Sequence, residues 1–153
     1  MREAFKGMKS EVFVKKLFLA LLLACPLTAH SEVSTELYCF QSLGTNSIKF
    51  EFRSYYDSVA KWSGASVKYS KSKEAITLAY RGSEEEVMDP DRPSQFTTTW
   101  VEVSNGVVTG DYEMVSQGAR IYGMTYTNYK TKAEYSFQYD MNMDPSPEMG
   151  CQW

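Results

Sequence analysis

The chain reads as an all-β protein: a single antiparallel β-sandwich or small β-barrel of about eight strands, closed by one disulfide. Three observations carry this reading. Short runs rich in β-branched and aromatic residues recur at roughly 10-residue spacing, with turn signals between them. Asn105-Gly106 lies between two such runs, and Asn-Gly is the dipeptide that most readily supplies φ > 0 at both central positions of a type I′ turn. No segment shows helical periodicity, an internal repeat or low complexity.

Residues 1–31 are expected to be a secretory signal peptide. Lys15-Lys16 precedes Leu17-Phe-Leu-Ala-Leu-Leu-Leu-Ala24, an apolar run too short to span a bilayer, and Pro26 and the small-x-small Ala29-His30-Ser31 follow. Cleavage is expected after Ser31, with Ala29 as a second position, leaving a single domain at 32–153 that is periplasmic or secreted. Leu22-Leu-Ala-Cys25 resembles a bacterial lipobox, which would put a lipid anchor on Cys25. Leu23 in its second position and Pro26 directly after the cysteine oppose that reading.

The signal segment holds five of the 16 basic and two of the 19 acidic residues, so the mature chain keeps 11 against 17 and a net charge of −6. Such a chain has no electrostatic reason to approach nucleic acid or anionic lipid, whereas a basic protein would be steered toward it. Its length suits one hydrophobic core, and no transmembrane helix is expected in it. Cys39 and Cys151, near its two ends, are then the remaining cysteines. In an oxidising compartment they are expected to form a disulfide, which on chain-entropy grounds contributes about 4–5 kcal/mol for so long a loop.

Glu36–Gln41 is expected as the first strand, with a turn at Leu43–Ser47. Ile48–Arg53 alternates cleanly, placing Ile48, Phe50 and Phe52 on one face and Lys49, Glu51 and Arg53 on the other. Tyr55-Tyr56 and Trp62 fall in a less regular stretch with room for a short helical turn. Ala65–Tyr69 and Ala75–Tyr80 pair across the polar 70–74 connection. Residues 82–94 are expected to be the one long loop, acidic over 83–93, because two prolines and five carboxylates exclude a central strand. Phe96–Ser104 and Val107–Val115 form the Asn-Gly hairpin. Arg120–Thr127 and Ala133–Tyr139 complete the set, with Ala133, Tyr135, Phe137 and Tyr139 sharing a face. The tail, broken by Pro145, Pro147 and Gly150, is expected to be irregular and pinned by Cys151.

The chemistry is mostly defined by omission. His30 is the only histidine and falls before residue 32, which removes Ser-His-Asp and Cys-His catalysis and imidazole metal sites from the mature domain. Bonded cysteines remove thiol chemistry, and no nucleophile elbow, phosphate loop or dinucleotide fingerprint is present. The domain is therefore expected to be no enzyme and to need no cofactor or metal, with a carboxylate-pair hydrolase the one catalytic class left open.

The acidic run supplies the candidate binding site: Glu84, Glu85, Glu86, Asp89 and Asp91, suited to a basic protein partner. Calcium is the weaker reading, because the spacing is not that of an EF-hand and Pro90 restricts how the aspartates converge. Ser116, Arg120 and Tyr122 give a second candidate surface. Ser116-Gln-Gly-Ala-Arg-Ile-Tyr122 resembles the Ser-Gly-x-x-Tyr loop of bacterial periplasmic lysozyme inhibitors, a loop that in those families enters the lysozyme cleft. Here Gln117 separates Ser116 from Gly118 and Tyr122 lies one residue further on, while Ser63-Gly64-Ala65 opens the same way but has Val67 at the Tyr position. The terminal Trp153 is similar to the aromatic end residue of outer-membrane barrels, although Pro145, Pro147 and Gly150 interrupt the alternating strand such an end requires.

Three functions are thus expected in order: an inhibitor or immunity-type binding module directed at a cationic enzyme, a small barrel carrying an apolar ligand, and an enzyme with convergent carboxylates in a cleft; a lipid-anchored or outer-membrane-associated envelope protein is a further alternative. Oligomeric state is not legible.

Overall fold

The computed structural model describes residues 33–153. The expected signal peptide at 1–31 and the lipobox-like stretch at Cys25 lie outside the described residues. Eight strands follow one another: β1 Val33–Gln41, β2 Lys49–Asp57, β3 Trp62–Tyr69, β4 Ile76–Glu86, β5 Gln95–Ser104, β6 Val107–Gln117, β7 Arg120–Asn128 and β8 Glu134–Tyr139. Each pairs antiparallel with the next, and β8 returns to β1, so the architecture is a closed up-and-down barrel rather than a sandwich.

Alternation drives the fold. Every strand contributes at least one buried side chain to the interior: Phe40, Phe50, Phe52, Ala65, Val67, Leu78, Trp100, Tyr112, Met124 and Phe137. The ring of Phe50 sits at the centre, with centroids 5.3 Å from Phe40, 4.8 Å from Phe137 and 6.1 Å from Tyr112. Each large side chain buried there contributes about 1.5–3 kcal/mol, and the Tyr112 and Phe137 rings pack edge to face against Phe50. Most outward positions are polar or charged, as with Lys49, Glu51 and Arg53 on β2, with Leu37, Tyr55, Trp62, Val101 and Val115 among the exceptions. This polarity is the reverse of a membrane-spanning barrel, whose apolar band faces lipid. Among the described residues no helix is long and apolar enough to cross a membrane.

The Asn-Gly turn forms as expected. Asn105 and Gly106 have φ of 52° and 77°, and Ser104 pairs with Val107. Other expectations need correction. Ile48 precedes β2 and is 45% exposed, because it closes the β1–β2 loop through a backbone hydrogen bond from Ser42 to its carbonyl. The stretch around Tyr55 and Trp62 is not helical: β2 runs on to Asp57, whose carboxylate accepts the Val59 and Ala60 N–H groups at 2.9 Å and tightens a four-residue turn into β3. Ala133 lies outside β8, while Tyr135 keeps the face of Phe137 and stacks on Tyr126, although it is 47% exposed at the strand's start.

The largest correction concerns residues 83–93. β4 continues through Glu86, pairing Glu84, Glu85 and Glu86 with Thr97, Phe96 and Gln95, so the loop is only 87–94. Both prolines fall beyond Glu86 and only they oppose a strand. Carboxylates are tolerated because this end of the β4–β5 ribbon stands in solvent.

The barrel closes on a short seam, with only Phe40–Tyr139 and Gln41–Gln138 paired between β1 and β8. Two hydrogen bonds extend it, from the Asp140 N–H to the Cys39 carbonyl at 2.9 Å and from the Gln41 amide to Asp140 at 3.1 Å. Cys39 faces outward, opposite in direction to Phe40, yet is fully buried because the tail lies over it. There it is bonded to Cys151, with the Cα atoms 5.8 Å apart. The tail is further held where Arg53 donates to the Pro147 carbonyl at 2.7 Å and the Cys151 N–H donates to Glu51 at 3.0 Å.

Candidate functional site

In an up-and-down barrel alternate connections share an end, so the β2–β3, β4–β5 and β6–β7 connections lie together. The two candidate surfaces are therefore one. Register makes this explicit: Glu86 pairs with Gln95, Gln95 with Gln117, and Gln117 with Arg120. Three strand spacings separate Glu86 from Arg120, about 14 Å.

The 87–94 loop is built on Asp89. Its carboxylate accepts the Asp91 N–H at 3.0 Å and pairs with the Arg92 guanidinium at 3.5 Å. The loop is then tied to the neighbouring turn, because Gln117 donates to the Pro93 carbonyl at 2.9 Å. Tyr122 in turn donates to Gln117 at 2.7 Å, and the Arg120 guanidinium lies over the Tyr122 ring at 4.9 Å. A continuous chain of contacts thus runs from the acidic loop to Tyr122.

The side chains do not all point one way. Glu84 and Glu86 face outward, whereas Glu85 shares the inward face with its partner Phe96 at the barrel mouth. Ser116 also pairs with Phe96 and faces inward, away from Tyr122. The eight predicted residues therefore separate into an outer rim of Glu84, Glu86, Asp89, Asp91, Arg120 and Tyr122, and an inner pair of Glu85 and Ser116. The rim is acidic with two guanidinium groups set into it, Arg92 on Asp89 and Arg120 on Tyr122.

Sequence reasoning missed three components. Val87 and Met88, the first two residues of the loop after β4, stand 64% and 62% exposed, an apolar knob between Glu86 and Asp89. Glu113 joins Glu84 along an outer groove of about 350 Å³ above Gly82, where the absent side chain leaves space. The signal available for all three was strand parity: counting connections places the β4–β5 and β6–β7 ends together. Among the described residues no three His, Cys, Asp or Glu side chains converge as a metal site.

The opposite end holds a different arrangement. Tyr69 and Tyr112 share a hydroxyl–hydroxyl hydrogen bond of 2.9 Å, and Glu102 accepts from Thr109 at 2.6 Å and from Tyr112 at 3.5 Å. Burial holds the Tyr112 phenol well above the ordinary tyrosine range, so its proton is fixed in place. No protein family matches the chain, and neither curated proteins nor solved structures return a match.

Proposed function

We propose that this protein is a small exported binding module of the inhibitor or immunity type, and that its acidic rim docks a basic protein. The observation that carries this reading is the meeting of the acidic loop and the Tyr122 turn on one end of a rigid barrel. Carboxylates around an exposed Val87-Met88 knob and a Tyr-Arg stack combine long-range attraction with the apolar and aromatic anchors that protein interfaces use. The packing of Phe50 against Phe40, Tyr112 and Phe137 at the barrel centre favours docking over carriage of an apolar ligand, which needs an empty apolar cavity of roughly several hundred Å³.

The test is affinity capture from a periplasmic extract on the wild-type protein, beside a column bearing Glu84→Gln, Glu86→Gln and Asp91→Gln together. A basic protein retained by the first and released by moderate salt, but not held by the second, supports the reading. Retention of nothing basic, or equal retention by both columns, contradicts it.

A further inference from the structure

Closing a barrel normally removes every strand edge, yet this one keeps an edge at the end that carries the rim. β8 stops at Tyr139 and pairs with β1 only at Phe40 and Gln41, whereas β1 begins seven residues before Phe40, at Val33. Val33 to Tyr38 pair with β2 on one side, from Val33–Asp57 to Tyr38–Phe52. Among the described residues no strand pairs with them on the other side. Two hydrogen bonds define which backbone groups line that free side. The Ser42 N–H donates to the Ile48 carbonyl, so the even-numbered residues of β1 face β2. The Asp140 N–H donates to the Cys39 carbonyl, so the odd-numbered ones face the seam. The N–H and C=O groups of Val33, Thr35 and Leu37 therefore point into the open side, along a stretch of about 20 Å. Val33, Ser34 and Glu36 are exposed and Thr35 is half-buried, which leaves this edge within reach of a partner.

Natural edges are blunted by lysine, proline, a bulge, a covering element or an inward-pointing charge. Val33-Ser-Thr-Glu-Leu-Tyr38 has no lysine and no proline, and its register with β2 is unbroken. Its one charge is Glu36, on the inward face shared with Phe40. The carboxylate accepts from Tyr38 at 3.1 Å, and among the described residues no Lys or Arg forms an ion pair with it. In an antiparallel addition Glu36 falls in a non-hydrogen-bonded pair, the kind in which opposed side chains come closest. A basic residue opposite it is favoured and an acidic one is repelled. A second copy of the chain, pairing about the middle of this stretch, sets Glu36 against Glu36, so the edge is charged against its own kind. On the outer face Val33, Thr35 and Leu37 offer β-branched or apolar neighbours to an incoming strand.

We propose that this edge takes up one extended segment of a protein partner, antiparallel to β1, with basic residues facing Glu36 and apolar residues facing Leu37. The inference rests on the basic partner proposed for the rim, and it names the part of that partner bound as a strand. Main-chain hydrogen bonds to Val33, Thr35 and Leu37 hold the segment, and Glu36 selects its charge and register. Val33 pairs with Asp57 beside the β2–β3 turn, so the edge and the rim share one end of the barrel and a single partner reaches both.

The test titrates ¹⁵N-labelled, disulfide-intact protein with a capped peptide of alternating lysine and valine. Two control peptides accompany it, one N-methylated on its valine amides and one with glutamate in place of lysine. At saturation, hydrogen exchange at the Thr35 and Leu37 amides is expected to slow at least about tenfold, with smaller changes at Ser34 and Glu36, which already face β2. Both control peptides should bind at least about tenfold more weakly than the lysine peptide. Thr35→Pro removes one donor on the free side without touching the β2 ladder, and should weaken the lysine peptide about tenfold. Glu36→Gln should erase most of the preference for lysine over glutamate. The proposal is overturned by the absence of a saturable change at Thr35 and Leu37, by equal affinity for the N-methylated peptide, by unchanged binding in folded Thr35→Pro, or by an undiminished lysine preference in Glu36→Gln. It is also overturned if the same amides become protected on concentrating the protein alone, which would make the edge an interface between copies. The rim reading is tested separately. Peptide bound at the edge while the affinity column retains nothing basic supports the edge and contradicts the rim, whereas equal capture of a basic protein by wild type and Thr35→Pro supports the rim and overturns the edge.

Discussion

At the scale of single residues, two glycines test the fold most sharply because each is required for a different reason. Gly106 has a φ of 77°, so Gly106→Val places a β-branched residue in the left-handed region and should cost about 1–3 kcal/mol. Gly123 is extended, but a Cβ there would come within 2.6 Å of the Phe137 carbonyl oxygen across the β7–β8 pair. Gly123→Ala should destabilise by a similar amount, about 1–3 kcal/mol, through overpacking. Gly82 is the control, since a Cβ there meets nothing within 4 Å, and Gly82→Ala should leave the urea midpoint nearly unchanged. Tyr38 gives a second residue-level expectation. Burial and the Glu36 carboxylate push its phenol up to about 12 from 10.0. The folded protein thus holds this proton more tightly than the unfolded chain. The stability this confers is complete below pH 10 and falls as pH rises from 10 toward 12. Denaturation midpoints measured between about pH 9 and pH 11 should fall, and Tyr38→Phe should flatten that fall. An equal alkaline slope in the variant would contradict the assignment.

At the scale of elements, the β1–β8 seam is where the barrel is expected to open first. It rests on two residue pairs, and the disulfide crosses beside it by fastening the tail over Cys39. Reduction, or Cys39→Ser, should lower stability by up to about 4–5 kcal/mol. Hydrogen exchange at the Asp140 and Gln41 backbone amides should quicken before that of the β5–β6 hairpin. Uniform acceleration across the barrel would show that the seam is no weaker than its neighbours. Much at this scale was legible in the chain. The Asn105-Gly106 turn, the alternation of Phe50 and Phe52, and the pairing of Cys39 with Cys151 are local signals, or follow from compartment and count. The extent of β4 was not. Glu84–Glu86 have poor strand propensity, and what holds them extended is the Phe96–Gln95 partner strand, a tertiary effect that overrides local preference. The bulges at Arg81 and near Tyr122 were equally hidden, because an extra residue in one strand is visible only against its neighbour.

At the scale of the whole molecule, closure of the barrel turns two separate sequence features into one surface. The acidic residues were legible as a charged segment, but their position beside Tyr122 depended on strand parity, and the inward turn of Glu85 and Ser116 depended on register. If the rim docks a basic partner, its outward carboxylates act mainly through long-range steering. That influence falls off over about 8–10 Å at physiological ionic strength. Because exposed charges contribute little to folding, removing them should leave thermal stability within about 0.5 kcal/mol of wild type. The most direct measurement is the association rate of the captured partner across a salt series, for wild type and for Glu84→Gln, Glu86→Gln and Asp91→Gln combined. Wild-type association should slow several-fold from low to physiological salt. The variant should start slow and change little, with dissociation and thermal midpoint nearly equal in the two proteins. Identical association rates for wild type and variant at low salt would contradict the account and leave the rim as no more than a solvated end of the barrel.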